Sequence, residues 1–263
     1  MSKSGFTLAE VLITLGVIGV VAAMTMPSLV GHYREKQTIV ALKKSYSILN
    51  QAFLMATEDY GPPTYWDGIF TPGGGCSSCA RKIGDIFAQY IQRIEKCYGS
   101  SYGVDENGNP VYDQGENTKC GGVDRPNPLQ LNGSEESVLG DIYVSVNFAR
   151  SIISDGTLFI TQTATNNCTN KYGTGINQNN LCGYIFVDIN GGHKKPNQYG
   201  IDLFPFYLTN TGLVPVGVKN SYYDNTCKKS SSGVGCTAWV LVNENMDYLH
   251  CDDLDWDGKT SCK

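Results

Sequence analysis

Between Phe6 and Val30 the chain runs FTLAEVLITLGVIGVVAAMTMPSLV, with Glu10 as its one ionisable side chain. A helix rising about 1.5 Å per residue over this stretch is long enough to cross the hydrocarbon core of a bilayer. An ordinary secretory leader has a shorter apolar region and a small-residue cleavage site on its far side, whereas the unusual residues here cluster in front of the run. Lys3 precedes it and His32, Arg34, Glu35 and Lys36 follow, so flanking charge is a weak guide to orientation.

The cysteines supply the orientation. Cys76, Cys79, Cys97, Cys120, Cys168, Cys182, Cys227, Cys236, Cys251 and Cys262 all follow the apolar run. So many thiols fit a reducing cytosol only if they bind metal, and their even number is met most simply by five disulfides formed outside the cytoplasm. Spacing leaves the connectivity open. Cys76 and Cys79 alone form a C-x-x-C pair that could also be redox-active or half a zinc site, but no βαβ pattern surrounds them.

Function classes narrow further with charge. A net charge of -5 and a pI near 5.2 leave no electrostatic footprint for nucleic acid. His32, His193 and His250 are the only histidines, and none sits beside a recognisable nucleophile or metal-ligand spacing, so the chain does not read as an enzyme.

Glu10 by itself admits two readings. A carboxylate in hydrocarbon costs several kcal/mol unless it is protonated or paired. It could snorkel to the cytoplasmic interface and leave an ordinary signal anchor. The residues around it, Lys3-Ser4-Gly5-Phe6-Thr7-Leu8-Ala9-Glu10, match instead a short basic leader, a glycine and Phe-Thr-Leu-x-Glu. The segment resembles the prepilin-type cleavage and methylation motif of the type IV pilin and type II secretion pseudopilin superfamily. The resemblance implies cleavage between Gly5 and Phe6 by a membrane prepilin peptidase, N-methylation of Phe6, and pairing of Glu10 with the N-terminal amine of a neighbouring subunit. It also implies a helix-kinking role for Pro27, which holds beside the reading that this proline marks the end of the span, and local melting of the stretch that carries Gly16 and Gly19.

Beyond the run, Ile39, Leu42, Tyr46, Leu49, Phe53 and Ala56 recur at spacings of three and four, so the helix should continue as an amphipathic rod to about Thr57. After Asp59, Pro and Gly end it. A second helix is expected over 82–96, delivering Cys97, and a glycine- and asparagine-rich loop over 100–133. Strands are expected from Ile142 to Phe148, from Gly156 to Thr161 after an Asp-Gly turn, and over 184–188, 204–208, 213–216 and 239–242.

Two acidic segments offer oxygen ligands. Asp188 and Asn190, with Asn197 and Asp202, read first as a turn and second as a calcium cage. Asp253, Asp255 and Asp257, followed by Gly258, match the first half of an EF-hand-like calcium loop, but its bidentate acid would fall beyond Lys263. A disulfide-closed acidic loop between Cys251 and Cys262 is the simpler reading.

The expected fold is α+β: a disulfide-rich, pilin-like chain in which a long N-terminal spine helix packs on an antiparallel β-sheet head. Residues 1–5 would be a cleaved leader, 6–30 a transmembrane and assembly helix, 31–57 its amphipathic continuation, and 58–263 an exported head. The resemblance implies a structural subunit of a type IV pilus-like filament, major or minor, in the cytoplasmic membrane with its head outside before polymerising with like subunits on an inner-membrane assembly platform. A type II secretion pseudopilin shares the leader and the spine, while the large cysteine-rich head leans toward a surface-exposed or tip pilin. A membrane-anchored binding domain that never polymerises would require Gly5-Phe6 to stay uncut. No cofactor is expected apart from calcium.

Overall fold

The computed structural model describes residues 7–66, 69, 77–98, 102–104, 110–112, 127–143, 148–163 and 168–262. Helix α1 spans Leu8–Tyr60, 53 residues, about 80 Å at the usual helical rise. Its start is specified by Thr7 and Glu10, which form a capping box. Its end is specified by Gly61, whose φ of 75° suits glycine and whose N–H donates to the Thr57 carbonyl over 2.9 Å. The helix continues through Pro27 and runs three residues past the expected end at Thr57.

Six strands form one antiparallel sheet in the order β1-β4-β5-β6-β7-β8: Arg93–Tyr98, Phe148–Ile153, Leu158–Thr163, Leu181–Asp188, Leu203–Thr209 and Leu213–Pro215. Two short strands, β2 (Tyr102–Val104) and β3 (Pro110–Tyr112), make a separate ribbon. From β4 onward the sheet is a meander, the topology that short hairpin connections favour. The β4–β5 turn is the expected Asp-Gly turn: the Thr157 N–H donates to Asp155 Oδ1 at 3.0 Å, and Gly156 takes φ 88°. Strand β8 is a short edge, three residues long.

Both faces of the sheet are covered, because alternate residues point to opposite sides. On one face Phe159, Ile185, Val187, Phe204, Phe206 and Leu208 meet the buried stripe of α1, Leu42, Leu49, Ala52, Phe53 and Ala56. Tyr46 stacks on Phe206 with ring centroids 5.4 Å apart. Helix α2 (Ser77–Phe87) packs beside α1 over β4 and β5, where the Thr161 hydroxyl donates to the Ala80 carbonyl at 2.8 Å. On the other face Leu158, Ile160, Phe186, Leu203 and Tyr207 pack with Ile142, Tyr143, Tyr172, Tyr199, Val216 and Val234. Every residue of β7 is therefore buried.

Four expected elements differ. The helix foreseen over 82–96 ends at Phe87, and Arg93–Tyr98 instead pairs with β4, from Arg93 opposite Ile153 to Tyr98 opposite Ala149. An available sheet edge outweighs the helical spacing of Ile91 and Ile94. The strand foreseen from Ile142 starts only at Phe148. Ile142 and Tyr143 lie in a turn, with the Ile142 N–H on the Gly140 carbonyl at 2.9 Å, and 144–147 lie outside the described residues. The strand foreseen over 239–242 is helix α3 (Cys236–Asn243), because a short apolar run does not distinguish a buried strand from a buried helix. The loop foreseen over 100–133 contains the β2–β3 ribbon, and its end is tied to the head by Leu131 N–H on the Ser232 carbonyl at 2.9 Å.

Disulfides join Cys168 to Cys182, Cys227 to Cys236 and Cys251 to Cys262, and Cys79 is also disulfide-bonded. In this bonded form Cys79 has no thiolate to offer zinc. Cys76 and Cys120 lie outside the described residues, and Cys97 is placed on β1.

Candidate functional site

The amino-terminal half of α1 stands clear of the head. Leu8, Leu12, Ile13, Leu15, Val17, Ile18, Met24 and Leu29 are each at least 60% exposed, so this half makes no core with the other described residues. The helix is long and apolar enough to cross a membrane, and none of its most apolar stretch is buried. A bare apolar rod of this length needs either lipid or other copies of a similar rod around it.

Glu10 lies in the first turn of that rod. Its Oε2 accepts the Thr7 N–H at 2.8 Å and the Thr7 hydroxyl at 2.9 Å, while Thr7 Oγ1 accepts the Glu10 N–H at 3.3 Å. A carboxylate at the N-terminal end also complements the helix dipole. Gly5 and Phe6, the expected cleavage pair, lie outside the described residues. Pro27 lies within α1.

Residues 1–26 match the prokaryotic N-terminal methylation motif. The chain carries the type IV pilin and pseudopilin signature. Residues 28–112 of this signature-bearing chain match a second family, described as a family of unknown function, DUF6613. No characterised protein and no solved structure matches the chain.

The two acidic segments take different forms. Asp188, the last residue of β6, and Asp202, just before β7, are buried at the two ends of the connection that carries Asn190 and Asn197. Asp188 Oδ2 accepts the Tyr143 hydroxyl at 2.9 Å, and Asp202 Oδ2 accepts Asn190 Nδ2 at 3.1 Å and the Asn197 N–H at 3.0 Å. Asp202 Oδ1 accepts the Gln198 N–H at 2.6 Å. Burial pushes both carboxyls above the ordinary carboxylate range, Asp188 to about 8 with Asp202 as a further cause. The carboxylates here terminate backbone N–H groups in a turn, the simpler of the two readings.

The C-terminal acids are dispersed among partners. Lys259 Nζ lies 2.9 and 2.8 Å from the two oxygens of Asp253, Lys219 pairs with Asp257, and Asp255 Oδ1 accepts the Asp257 N–H at 2.7 Å. A calcium ion at Asp253, Asp255 and Asp257 would have to displace both lysines.

One cluster escaped sequence reasoning. His32 and Glu35 sit one turn apart on α1, and His250, 215 residues after Glu35, is brought onto them. His250 Nε2 lies 2.8 Å from Glu35 Oε1, His32 Nδ1 lies 3.8 Å from Glu35 Oε2, and the two imidazole rings are 5.9 Å apart. The i, i+3 spacing of His32 and Glu35 was visible; nothing local to His250 points at either residue.

Proposed function

We propose that this chain is a structural subunit of a type IV pilus-like filament, not an enzyme, cut between Gly5 and Phe6 by a prepilin peptidase and polymerised through α1. The observation that carries the reading is the exposed apolar half of α1 with Glu10 in its first turn, within a segment matching the methylation motif. Before assembly the rod spans the cytoplasmic membrane with the disulfide-bonded head outside. Once Phe6 is the first residue, its amine and the Glu10 carboxylate of a neighbour are opposite charges in a low-dielectric setting, and each lowers the cost of the other. Helix packing then replaces lipid around the apolar face, and the partners are like subunits on an inner-membrane assembly platform.

A pseudopilin of a type II secretion machine is the second reading, favoured by the same motif. The test is the N-terminal mass of the exported protein from its native host, alongside Gly5→Val and Glu10→Val variants assayed for filament incorporation. The expected result is a start at methylated Phe6, an uncut Gly5→Val chain, and a Glu10→Val chain that is cut but poorly incorporated. A retained Met1, or a cut beyond residue 20, would leave only a membrane-anchored binding domain. Loss of surface filaments on gene deletion supports the pilus, and loss of protein secretion supports the pseudopilin.

A further inference from the structure

We propose that His32, Glu35 and His250 form a binding site for a divalent transition-metal ion of the zinc class, clamping the base of the head to the long helix. Two imidazoles and one carboxylate converge there, with one ligand atom from each lying within 4.8 Å of the others. Among the described residues this is the group of three whose ligand atoms meet in that way. Imidazole nitrogen selects zinc, copper or nickel over calcium and magnesium, which take oxygen ligands.

Geometry supports three-point binding. Bonds of about 2.0–2.2 Å hold tetrahedral ligand atoms about 3.4 Å apart, so the widest separation, within 4.8 Å, must contract by up to about 1.4 Å. The two histidines can supply that movement, because the His32 and His250 side chains are 65% and 45% exposed. Glu35, 19% exposed, is the fixed corner beneath them. The backbone of His250 is held firmly: its N–H donates to the Asp247 carbonyl at 2.8 Å, Tyr248 before it is buried with its hydroxyl on the Gly200 carbonyl at 2.6 Å, and Cys251 after it is disulfide-bonded to Cys262. Three protein ligands leave the fourth tetrahedral position to water or to a donor from another molecule. Without metal, the Glu35–His250 contact is an ordinary hydrogen bond that holds the ligands near their places.

The site stands whether or not the chain polymerises, since all three ligands belong to one chain. The experiment is zinc titration by calorimetry of the full chain in detergent with its disulfides intact, repeated with magnesium and with the His250→Ala, Glu35→Gln and His32→Asn variants. Expected are one zinc per chain, no magnesium binding, and a loss of about 10-fold or more in zinc affinity for each variant, the scale on which even supporting residues of metal sites act. His32→Asn leaves the Glu35–His250 contact in place, so its loss of affinity reports ligation rather than altered docking. Circular dichroism checks that each variant remains folded. Zinc binding that is absent from the wild type, or equally strong in all three variants, overturns the site.

Discussion

The hydroxyl of Tyr143 donates to Asp188 Oδ2 across 2.9 Å, and both side chains are shut away from water. Asp202 lies close enough to raise the Asp188 carboxyl further, to about 8, after burial as the first cause. Two neighbouring buried carboxyls cannot both ionise cheaply, so the folded chain holds a proton on the pair more tightly than the unfolded chain does.

That proton makes stability depend on pH. The folded pKa of Asp188 is raised above its ordinary 3.8, so the folded state binds more protons than the unfolded chain between the two values. Its contribution is full below about pH 4 and is lost as pH rises toward about 8. Thermal melts of the wild type and Asp188→Asn at about pH 5 and about pH 8 should show a wild-type decline that is smaller in the variant, where Asp202 is still raised by burial. Parallel curves for the two proteins would mean that no proton is held at this pair.

Leu49 and Leu54 sit on one helix with opposite fates. Leu49 is 1% exposed against the sheet and Leu54 is 67% exposed. Leu49→Ala should cost about 2–5 kcal/mol of unfolding free energy, from lost burial and the cavity left behind. Leu54→Ala should stay within about 0.5 kcal/mol. Denaturant titration of the full chain in detergent measures both, and equal losses would contradict the assigned face of the helix.

The bond between Cys251 and Cys262 closes a loop with a sequence separation of 11. Replacing both cysteines by serine should lower stability by about 2–3 kcal/mol, because the unfolded chain regains the freedom the bond removed. Comparing denaturation midpoints of the double variant and the wild type tests this, and an unchanged midpoint would show that the segment is held by its other contacts alone.

Gly217 has φ 97°, and a Cβ there would lie 1.9 Å from the Gly235 carbonyl oxygen. Gly217→Ala should therefore cost more than about 4 kcal/mol and leave little folded protein. Gly212 has nothing within 4 Å of the same added atom. Gly212→Ala should be neutral or stabilising by up to about 1 kcal/mol, through the entropy of the unfolded chain. Soluble yield and melting temperature separate the two; a well-folded Gly217→Ala protein would refute the close approach of these backbones.

Local periodicity made the long helix readable. The apolar run and the stripe from Ile39 to Ala56 have one spacing, and the structure folds them as one helix. Asp155-Gly156 marked its hairpin because a positive φ at glycine is a local requirement. Strand β1 was unreadable for the opposite reason, since what makes it a strand is the edge of β4 more than 50 residues away. Helix α3 was misread because Trp239, Val240, Leu241 and Val242 suit a strand by residue type while burial decides the outcome. At the amino terminus, Glu10 was legible as an anomaly of charge, but its bonds to Thr7 needed coordinates. His250 beside Glu35 depends on the fold of everything between them.

The brevity of β8 has a consequence for how heads can sit side by side. It offers only Leu213–Pro215 at its flank of the sheet; proline brings no N–H, and the Leu213 carbonyl already accepts the Tyr46 hydroxyl at 3.4 Å. A neighbouring strand would find almost no free ladder to extend. Were two heads to meet on this flank, they would adhere through side chains and loops, and their sheets would stay separate.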